Sequence, residues 1–360
     1  MTEIVIAEIV EDHTPQEWAR LVKLDLGQAV SGFVAAGDHL RQAKLAVPHG
    51  GWEKWVKEEV GISPETARRL MTVSCHQALS NPNHSLDLPS SWQTLYELSQ
   101  LEPTLLEAAI QSGAVNPQLE RKQAKALVIE YKMRAAQVSF DLRHVDFREM
   151  DIEPGSVDAI ITDPPYPAEF LPLYGMRYGN EQDGGDEFQE EGLSEFAAKV
   201  LKPGGLCAVM VGQSYLPEVM ERLSSRLDYH WTIAYLTPGG QAVQIFPRKV
   251  NTFWKPILIY RNGEGDASEW FGDVAKSEVN DNDKRYHHWG QSESGMADLI
   301  KRLSRPGDMI VDPFLGAGTT GVAALALGRS FVGCDVDANH VEAAQQRLEQ
   351  TVLERLGGDQ

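Results

Sequence analysis

The sequence predicts an α/β fold, a mostly parallel sheet with helices on both faces, preceded by an all-helical domain. Three observations carry this. Up to about residue 135 the apolar residues recur at helical spacing. From about 138 onward, short apolar runs rich in β-branched residues alternate with helical stretches. A glycine-rich turn then joins one of those runs to a helix at 309–321, MIVDPFLGAGTTG. The boundary is expected near 136–140, giving a helical domain over 1–137 and an α/β domain over 138–360.

In the first domain a long helical segment over about 16–47 carries Leu21, Leu24, Val30, Phe33 and Leu40. The sequence PHGG at 48–51 ends it. A short piece from Trp52 to Val60 precedes GISP at 61–64, where Ser63 and Pro64 suit the cap and first turn of a helix reaching about His76. Helix, glycine-containing turn and a second helix bearing Arg68 and Arg69 have the order of a helix-turn-helix, although an ordinary helical hairpin has the same pattern. Further helices are expected near 91–100, 103–112 and 118–136.

In the second domain VDAIITD at 157–163 reads as a buried parallel strand. LKPGG at 201–205 reads as a turn before a strand at 206–211. Strands are also expected at 231–236, 253–260, 309–312 and 331–335, and helices at 193–200, 219–227, 319–327 and 339–356.

The chain has 360 residues and a formal net charge of −19, which at first weighs against a nucleic-acid partner. Counted by segment, residues 151–200 alone carry −10, much of it in NEQDGGDEFQEE at 180–191. Basic residues gather elsewhere, at Arg248, Lys249 and Lys255, at Lys284 and Arg285, and at Lys301, Arg302 and Arg305. The charge therefore permits a local, salt-sensitive contact with DNA. Three widely spaced cysteines form no metal or disulfide pattern, and no metal is expected. No apolar run is long enough to span a membrane, and the acidic amino terminus does not open like a signal peptide, so a cytoplasmic location is expected.

Two motifs carry chemistry. Gly316, Gly318 and Gly321 form G-x-G-x-x-G between a strand and a helix, with Asp335 at the end of the next strand, 19 positions after Gly316. Such a turn lets the backbone approach a nucleotide-like ligand, and the acid can accept bonds from ribose hydroxyls. Asp312 just before the turn would repel a pyrophosphate and suits a ligand with a positive centre or an amino group; helix capping is its bland alternative. The second motif, Asp163-Pro164-Pro165-Tyr166, follows the strand at 157–163. Two prolines fix a stiff turn at the carboxyl end of that strand. Asp163 and the Pro164 carbonyl can accept the N–H bonds of an exocyclic amine, stabilising positive charge as it attacks a methyl group. Tyr166 can stack on the base, which must first leave its helix.

These motifs, in this order, resemble the beta group of DNA amino-methyltransferases, whose motif order is circularly permuted, with the DPPY turn ahead of the FxGxG turn. HVDF at 144–147, LKPGG at 201–205 and FVGCD at 331–335 resemble further segments of that family. The resemblance covers about 140–350. It implies a Rossmann-like, circularly permuted S-adenosylmethionine-dependent methyltransferase sheet acting on double-stranded DNA. Asp163, Pro164, Pro165 and Tyr166 become the amine site. Phe314, Gly316, Gly318, Thr319, Thr320, Asp335 and Asp312 become the cofactor site. Asp146 matches a family acid near the target or the cofactor adenine. Asp before Pro-Pro-Tyr is the family's usual mark of adenine N6, with cytosine N4 as the alternative. A Lys-Pro pair usual in the family before its glycine-turn strand is absent here, and Gln291 and Ser292 stand as candidates to hold the methionine carboxylate. A short target-recognition insert is expected around 261–287, with Arg248, Lys249, Lys284 and Arg285 as DNA contacts. A homodimer is implied only by the resemblance. HGGWEKW at 49–55 with SPETARRLM at 63–71 resembles a helical module of phage and plasmid-type proteins. A DNA-binding regulator with an idle methyltransferase fold is the rival reading.

Overall fold

The computed structural model describes residues 15–48, 50–165, 190–236, 243–245, 248–265, 270–277 and 292–355. The chain divides into two compact units, Met1–Lys132 and Met133–Gln360.

The first unit is helical: α1 (Pro15–Ala46), α2 (Trp52–Trp55), α3 (Pro64–Cys75), α4 (Gln77–Ser80), α5 (Trp92–Leu98), α6 (Pro103–Gln111) and α7 (Arg121–Ala135), the last running across the division. Leu40, Val56, Ala67 and Leu70 form a buried cluster, with Phe33, Trp52, Trp55, Ile62 and Trp92 packed around it. Trp52 and Trp55 stack at 5.6 Å between centroids, which closes one side of this small core.

The second unit contains β1 (Phe140–His144), β2 (Val157–Thr162), α8 (Glu190–Val200), β3 (Leu201–Met210), α9 (Leu216–Leu223) and β4 (Asp228–Leu236). A hairpin of β5 (Val243–Ile245) and β6 (Val250–Thr252) follows, then β7 (Lys255–Arg261) and β8 (Val274–Lys276). The chain closes with α10 (Glu293–Leu303), β9 (Met309–Asp312), α11 (Thr319–Ala326), β10 (Ser330–Asp335) and α12 (Ala338–Arg355). Eight strands make one sheet in the order β1-β10-β9-β2-β3-β7-β4-β8. The first five neighbours run parallel, and β7 runs antiparallel to both β3 and β4. The strand before the glycine turn, late in the chain, therefore lies beside the strand that ends in Asp163.

Side-chain alternation explains the layers. Ile160, Cys207, Val209, Leu258, Tyr260 and Val311 pack with Leu193, Phe196 and Ala197 of α8 and Val219 and Leu223 of α9. Ile161, Ala208, Met210, Ile257 and Ile310, equally buried, alternate with them and face the other way. Strands buried on both faces read as unbroken apolar runs, which is why β2 and β9 were legible in the sequence.

One expectation is corrected, and two further features stand beside it. KPGG at 202–205 does not precede a strand. It bulges within β3, where Val157 pairs with Leu201 and Ala159 with Leu206. Asn262 pins the bulge, its N–H donating to the Gly205 carbonyl at 3.0 Å and its side chain to the Leu201 carbonyl at 2.8 Å. The region expected as a recognition insert contributes β8, paired with β4, to the main sheet. Finally, β1, the β5–β6 hairpin and α10 were not expected from periodicity; the strands among them have three to five residues, too short to show a period.

At the amino end of the central strands, Asp158 ties three together. Its Oδ2 accepts from the Met309 N–H at 2.9 Å, and its Oδ1 from Lys202 Nζ at 2.5 Å. Replacing Asp158 by Ala leaves that strand N–H without its partner. Denaturant unfolding is expected to show a loss of about 1–2 kcal/mol, with ligand binding at the opposite end of the sheet unchanged.

Candidate active site

The carboxyl ends of β2 and β9 lie side by side. From β9 the chain continues through α11 to β10 on one side, and from β2 through α8 to β3 on the other. The strand order reverses between them, and ligands of open α/β sheets bind at such a point.

Asp312 ends β9 and is 3% exposed. Its Oδ1 accepts from Thr162 Oγ1 at 2.7 Å and from the Phe314 N–H at 3.1 Å, and its Oδ2 accepts from Thr320 Oγ1 at 2.7 Å. Burial is the main cause that pushes its carboxyl up to about 7; the hydroxyl and amide bonds oppose this, and the Asp163 charge adds to it. Asp312 is therefore a buried clamp joining β9, β2 and the first turn of α11. Any cationic ligand nearby would feel its charge across Thr162 and Thr320.

The glycine turn divides its labour. Gly316 sits at φ +49°, and a Cβ built there would meet open space. Gly318 sits at φ +75°, but its Cβ would stand 2.8 Å from the Ala344 Cβ of α12. The first glycine thus leaves room in front of the turn. The second lets α11 pack on α12. Thr319 is buried and receives a 3.2 Å bond from Arg347 Nη1, which also donates to the Ala317 carbonyl at 2.5 Å. Arg347 pairs with Glu293 at 2.8 Å as well, so it braces the turn from α12.

Asp335 ends β10. Its Oδ2 accepts from the Gly316 N–H at 2.9 Å, and its Oδ1 from the Asp337 N–H at 2.9 Å and His340 Nδ1 at 3.2 Å. Burial alone would raise its carboxyl; the bonds from His340, Asp337 and Gly316 outweigh this and hold it below the usual carboxylate range. An ionised acid is thus fixed beside the one turn glycine that faces open space, which fits the ribose of an adenosyl group. Phe314 is half-buried against Phe147, with centroids 5.1 Å apart, so part of its ring belongs to the core.

Asp163 follows β2 and is partly buried. Its Oδ1 accepts from Lys255 Nζ at 2.6 Å. Lys255 opens β7, whose antiparallel course brings its first residue to the carboxyl end of the parallel strands. Pro164 is buried and Pro165 exposed. Tyr166, Gln291, Lys284 and Arg285 lie outside the described residues.

The other predicted positions fall elsewhere or do other work. Asp146 caps a short 3-10 turn and is gripped by Arg148, at 2.8 Å from Nε to Oδ1 and 2.7 Å from Nη2 to Oδ2. The hydrogen bond from Arg148 holds its carboxyl below the usual range. Ser292 is fully buried and caps α10, accepting from the Gly295 N–H at 3.1 Å. Arg248 and Lys249 are exposed, and Arg248 reaches the Ser214 carbonyl at 3.3 Å. Sequence reasoning singled out Lys255 only as one of a basic cluster. A cation opening an apolar strand was visible, but its meeting with Asp163 depends on the antiparallel placement of that strand.

Two of the three thiols are buried beside the core. Burial pushes Cys207 up to about 12 and raises Cys334 further, so neither is an activated nucleophile. Among the described residues no group of three or more His, Cys, Asp or Glu could hold a metal ion, and no helix is long and apolar enough to cross a membrane.

Comparison with known proteins identifies the class. Residues 248–346 match the N6_N4_Mtase family, described as DNA methylase. Residues 19–110 match a family described as a protein of unknown function, DUF3102. The type II methyltransferase M.HpaI of Haemophilus parainfluenzae is 29% identical over 55% of this chain and 70% of its own length. The type II methyltransferase M2.DpnII of Streptococcus pneumoniae is 27% identical over 55% of this chain and 84% of its own. The crystal structure of an M1.HpyAVI–SAM complex has 20% identity and a TM-score of 0.41, covering 58% of this chain and 99% of that one. Residues 248–346 thus match a DNA methylase model of the N6/N4 type, and about half of the chain is homologous to type II DNA methyltransferases.

The geometry separates the two turn glycines experimentally. Gly318→Ala combines left-handed backbone strain with overpacking and is expected to cost roughly 2–4 kcal/mol in denaturant unfolding. Gly316→Ala carries the backbone strain alone, roughly 1–2 kcal/mol. Its methyl group is expected to weaken S-adenosylmethionine binding, read by calorimetry, by more than tenfold.

Asp312 gives a pH signature. Its folded carboxyl titrates near 7 against an ordinary value of 3.8. Its stabilising contribution is therefore full below about pH 4 and is lost as the pH rises to about 7. Relative to Asp312→Asn, the parent is expected to lose stability across that window, on the order of 1 kcal/mol per pH unit. Urea unfolding at stepped pH measures the difference.

Proposed function

We propose that this protein transfers a methyl group from S-adenosylmethionine to the N6 amine of adenine in double-stranded DNA, as a beta-group enzyme with permuted motif order. The observation that carries the reading is the adjacency of Asp163-Pro164 and the Gly316 turn at the point where strand order reverses. When bound, S-adenosylmethionine supplies an electrophilic methyl on a sulfonium centre. Asp335 holds the ribose hydroxyls, and the open space before Gly316 admits the adenosyl group. The buried Asp312 favours the positive charge of this ligand over a pyrophosphate.

The target base, turned out of its helix, presents its amine to Asp163 and the Pro164 carbonyl. Each accepts one N–H bond, which directs the nitrogen lone pair at the methyl and offsets the positive charge that grows on nitrogen; as the C–N bond forms, the sulfur–methyl bond would break to leave S-adenosylhomocysteine, and the nitrogen would release one proton to solvent. Asp163 is held for this by Lys255 at 2.6 Å. The ammonium has three donors, so a second can reach the ring nitrogen beside the amine, which in adenine is an acceptor. Asp before Pro-Pro favours adenine over cytosine by the family's usual rule. The same geometry accommodates the cytosine amine, and product analysis separates the two.

Labelled S-adenosylmethionine incubated with duplex DNA and digested to nucleosides tests the reading. The expected product is N6-methyladenine. Asp163→Ala is expected to lower turnover at least a hundredfold. Lys255→Met is expected to lower it about ten- to a hundredfold, with Lys255→Arg retaining more. Labelled N4-methylcytosine alone would assign the other base. Absence of any labelled nucleoside with the parent, or parental activity in Asp163→Ala, would overturn the reading.

A further inference from the structure

The first unit holds a motif that methyl transfer does not use. Helix α2 runs into a π turn over Val56–Val60, and Gly61 then reverses the chain in the left-handed region at φ +77°. Ser63 caps α3, its Oγ accepting from the Thr66 N–H at 3.0 Å, with Pro64 in the first turn. Val56 of the first helix, Ile62 of the turn, and Ala67 and Leu70 of α3 belong to one small core. These are the positions that hold two helices across a three-residue turn. Ala67, Leu70, Val73 and Ser74 of α3 are buried, whereas Glu65, Arg68 and Cys75 are exposed and Arg69 and Thr72 partly so. Helix α1 packs closely against α3: a Cβ on Gly37 would collide with the Leu70 carbonyl. One face of α3 is thus fixed by packing, and the opposite face is presented.

That face carries an ordered pair of guanidinium groups. Arg68 bonds both oxygens of Glu65, at 2.9 and 2.7 Å, and Arg69 Nε bonds Glu65 Oε1 at 2.7 Å. Both groups also lie over the Tyr96 ring, at 5.9 and 4.9 Å from its centroid. One carboxylate between two arginines leaves a net positive charge. The arginines lie in the first half of α3, the part of a second helix that meets base edges when such a pair docks in a major groove. Lys54 and Lys57 are exposed on the preceding helix, which crosses the phosphate backbone in that arrangement, with Lys54 3.9 Å from Glu58.

We propose that residues 52–75 form a helix-turn-helix that binds double-stranded DNA through α3 in the major groove, with Arg68 and Arg69 reaching base edges and Lys54 and Lys57 the phosphates. Duplex DNA is favoured over a protein partner because the same chain carries a DNA methylase domain. A second duplex contact on one chain raises the effective concentration of DNA at the first. The inference draws its ligand from the methylase domain but not from the choice of base or the methyl-transfer chemistry.

Full-length protein is titrated against fluorescently labelled duplexes carrying 20 randomised base pairs, at several salt concentrations, with bound duplexes sequenced. An enriched sequence is expected for the parent. The double variant Arg68→Gln, Arg69→Gln is expected to bind at least tenfold more weakly and to lose that enrichment. Lys57→Gln is expected to weaken binding two- to fivefold with the enrichment kept, and the slope of log affinity against log salt to fall by about one. Glu65→Gln is expected to tighten binding, because it frees both guanidiniums; a purely structural cluster would lose affinity in both directions. Methyl transfer by the same preparations is read separately with labelled S-adenosylmethionine, so failure of methyl transfer and failure of this contact are distinguished. Parental affinity, enrichment and salt slope in both the double variant and Lys57→Gln would overturn the proposal and leave the motif to a protein contact. Should the double variant not fold, as judged by circular dichroism, Lys57→Gln and Glu65→Gln decide: parental binding by both overturns it.

Discussion

The second unit depends on a single buried carboxylate. Asp312 meets Thr162 at the end of β2, Thr320 in the first turn of α11 and the amide of Phe314 in the glycine turn. Thr162 lies 150 positions away in the chain, whereas Phe314 and Thr320 belong to the turn and helix that follow Asp312 itself. A carboxylate buried without such donors would be costly, and with them it fixes the end of β2 against the β9–α11 turn. Burial still raises its carboxyl towards neutrality, so the clamp is held under electrostatic tension. The clamp joins the ends of β2 and β9 at the sheet's point of reversal, beside Asp163 and the glycine turn.

Around it the site is built from opposed charges. Asp335 is kept ionised by three donors, one of them the Gly316 amide, so the acid and the turn are oriented together. Asp163 is kept in place by Lys255 from the antiparallel strand. The net charge of −19 therefore says little about the partner. What matters is that Asp163 and Asp335 at the sheet's carboxyl edge have local partners in Lys255 and His340, while Arg68 and Arg69 of the first unit are ordered on α3 by Glu65. A chain acidic overall can still present positive surface where a helix packs one side and exposes the other.

Much of this was legible in order along the chain. VDAIITD, MIVD and FVGCD are short apolar runs because strands covered on both faces cannot alternate. Ser63-Pro64 announced the start of α3 because capping and the first-turn proline act within four residues. Other parts were not legible, for physical reasons. The β1 and β8 strands are stabilised by pairing with β10 and β4 rather than by their own pattern. The KPGG bulge looks like a turn locally, and only Asn262 and the register against β2 hold it in the strand.

By itself the sequence determined the α/β class of the second unit, the two motifs and the acids that end the strands, since these rest on local spacing and side-chain chemistry. Tertiary structure decided what each of them does. It gave Asp312 three donors in a buried clamp and set Gly318 against Ala344 of α12. It made Ser292 a helix cap and gave Asp146 to Arg148. It also brought Lys255 to Asp163 across 92 positions of sequence. Spacing along a chain records which groups are present. Which of them meet is set by strand order and direction, and these arise only when the whole sheet forms.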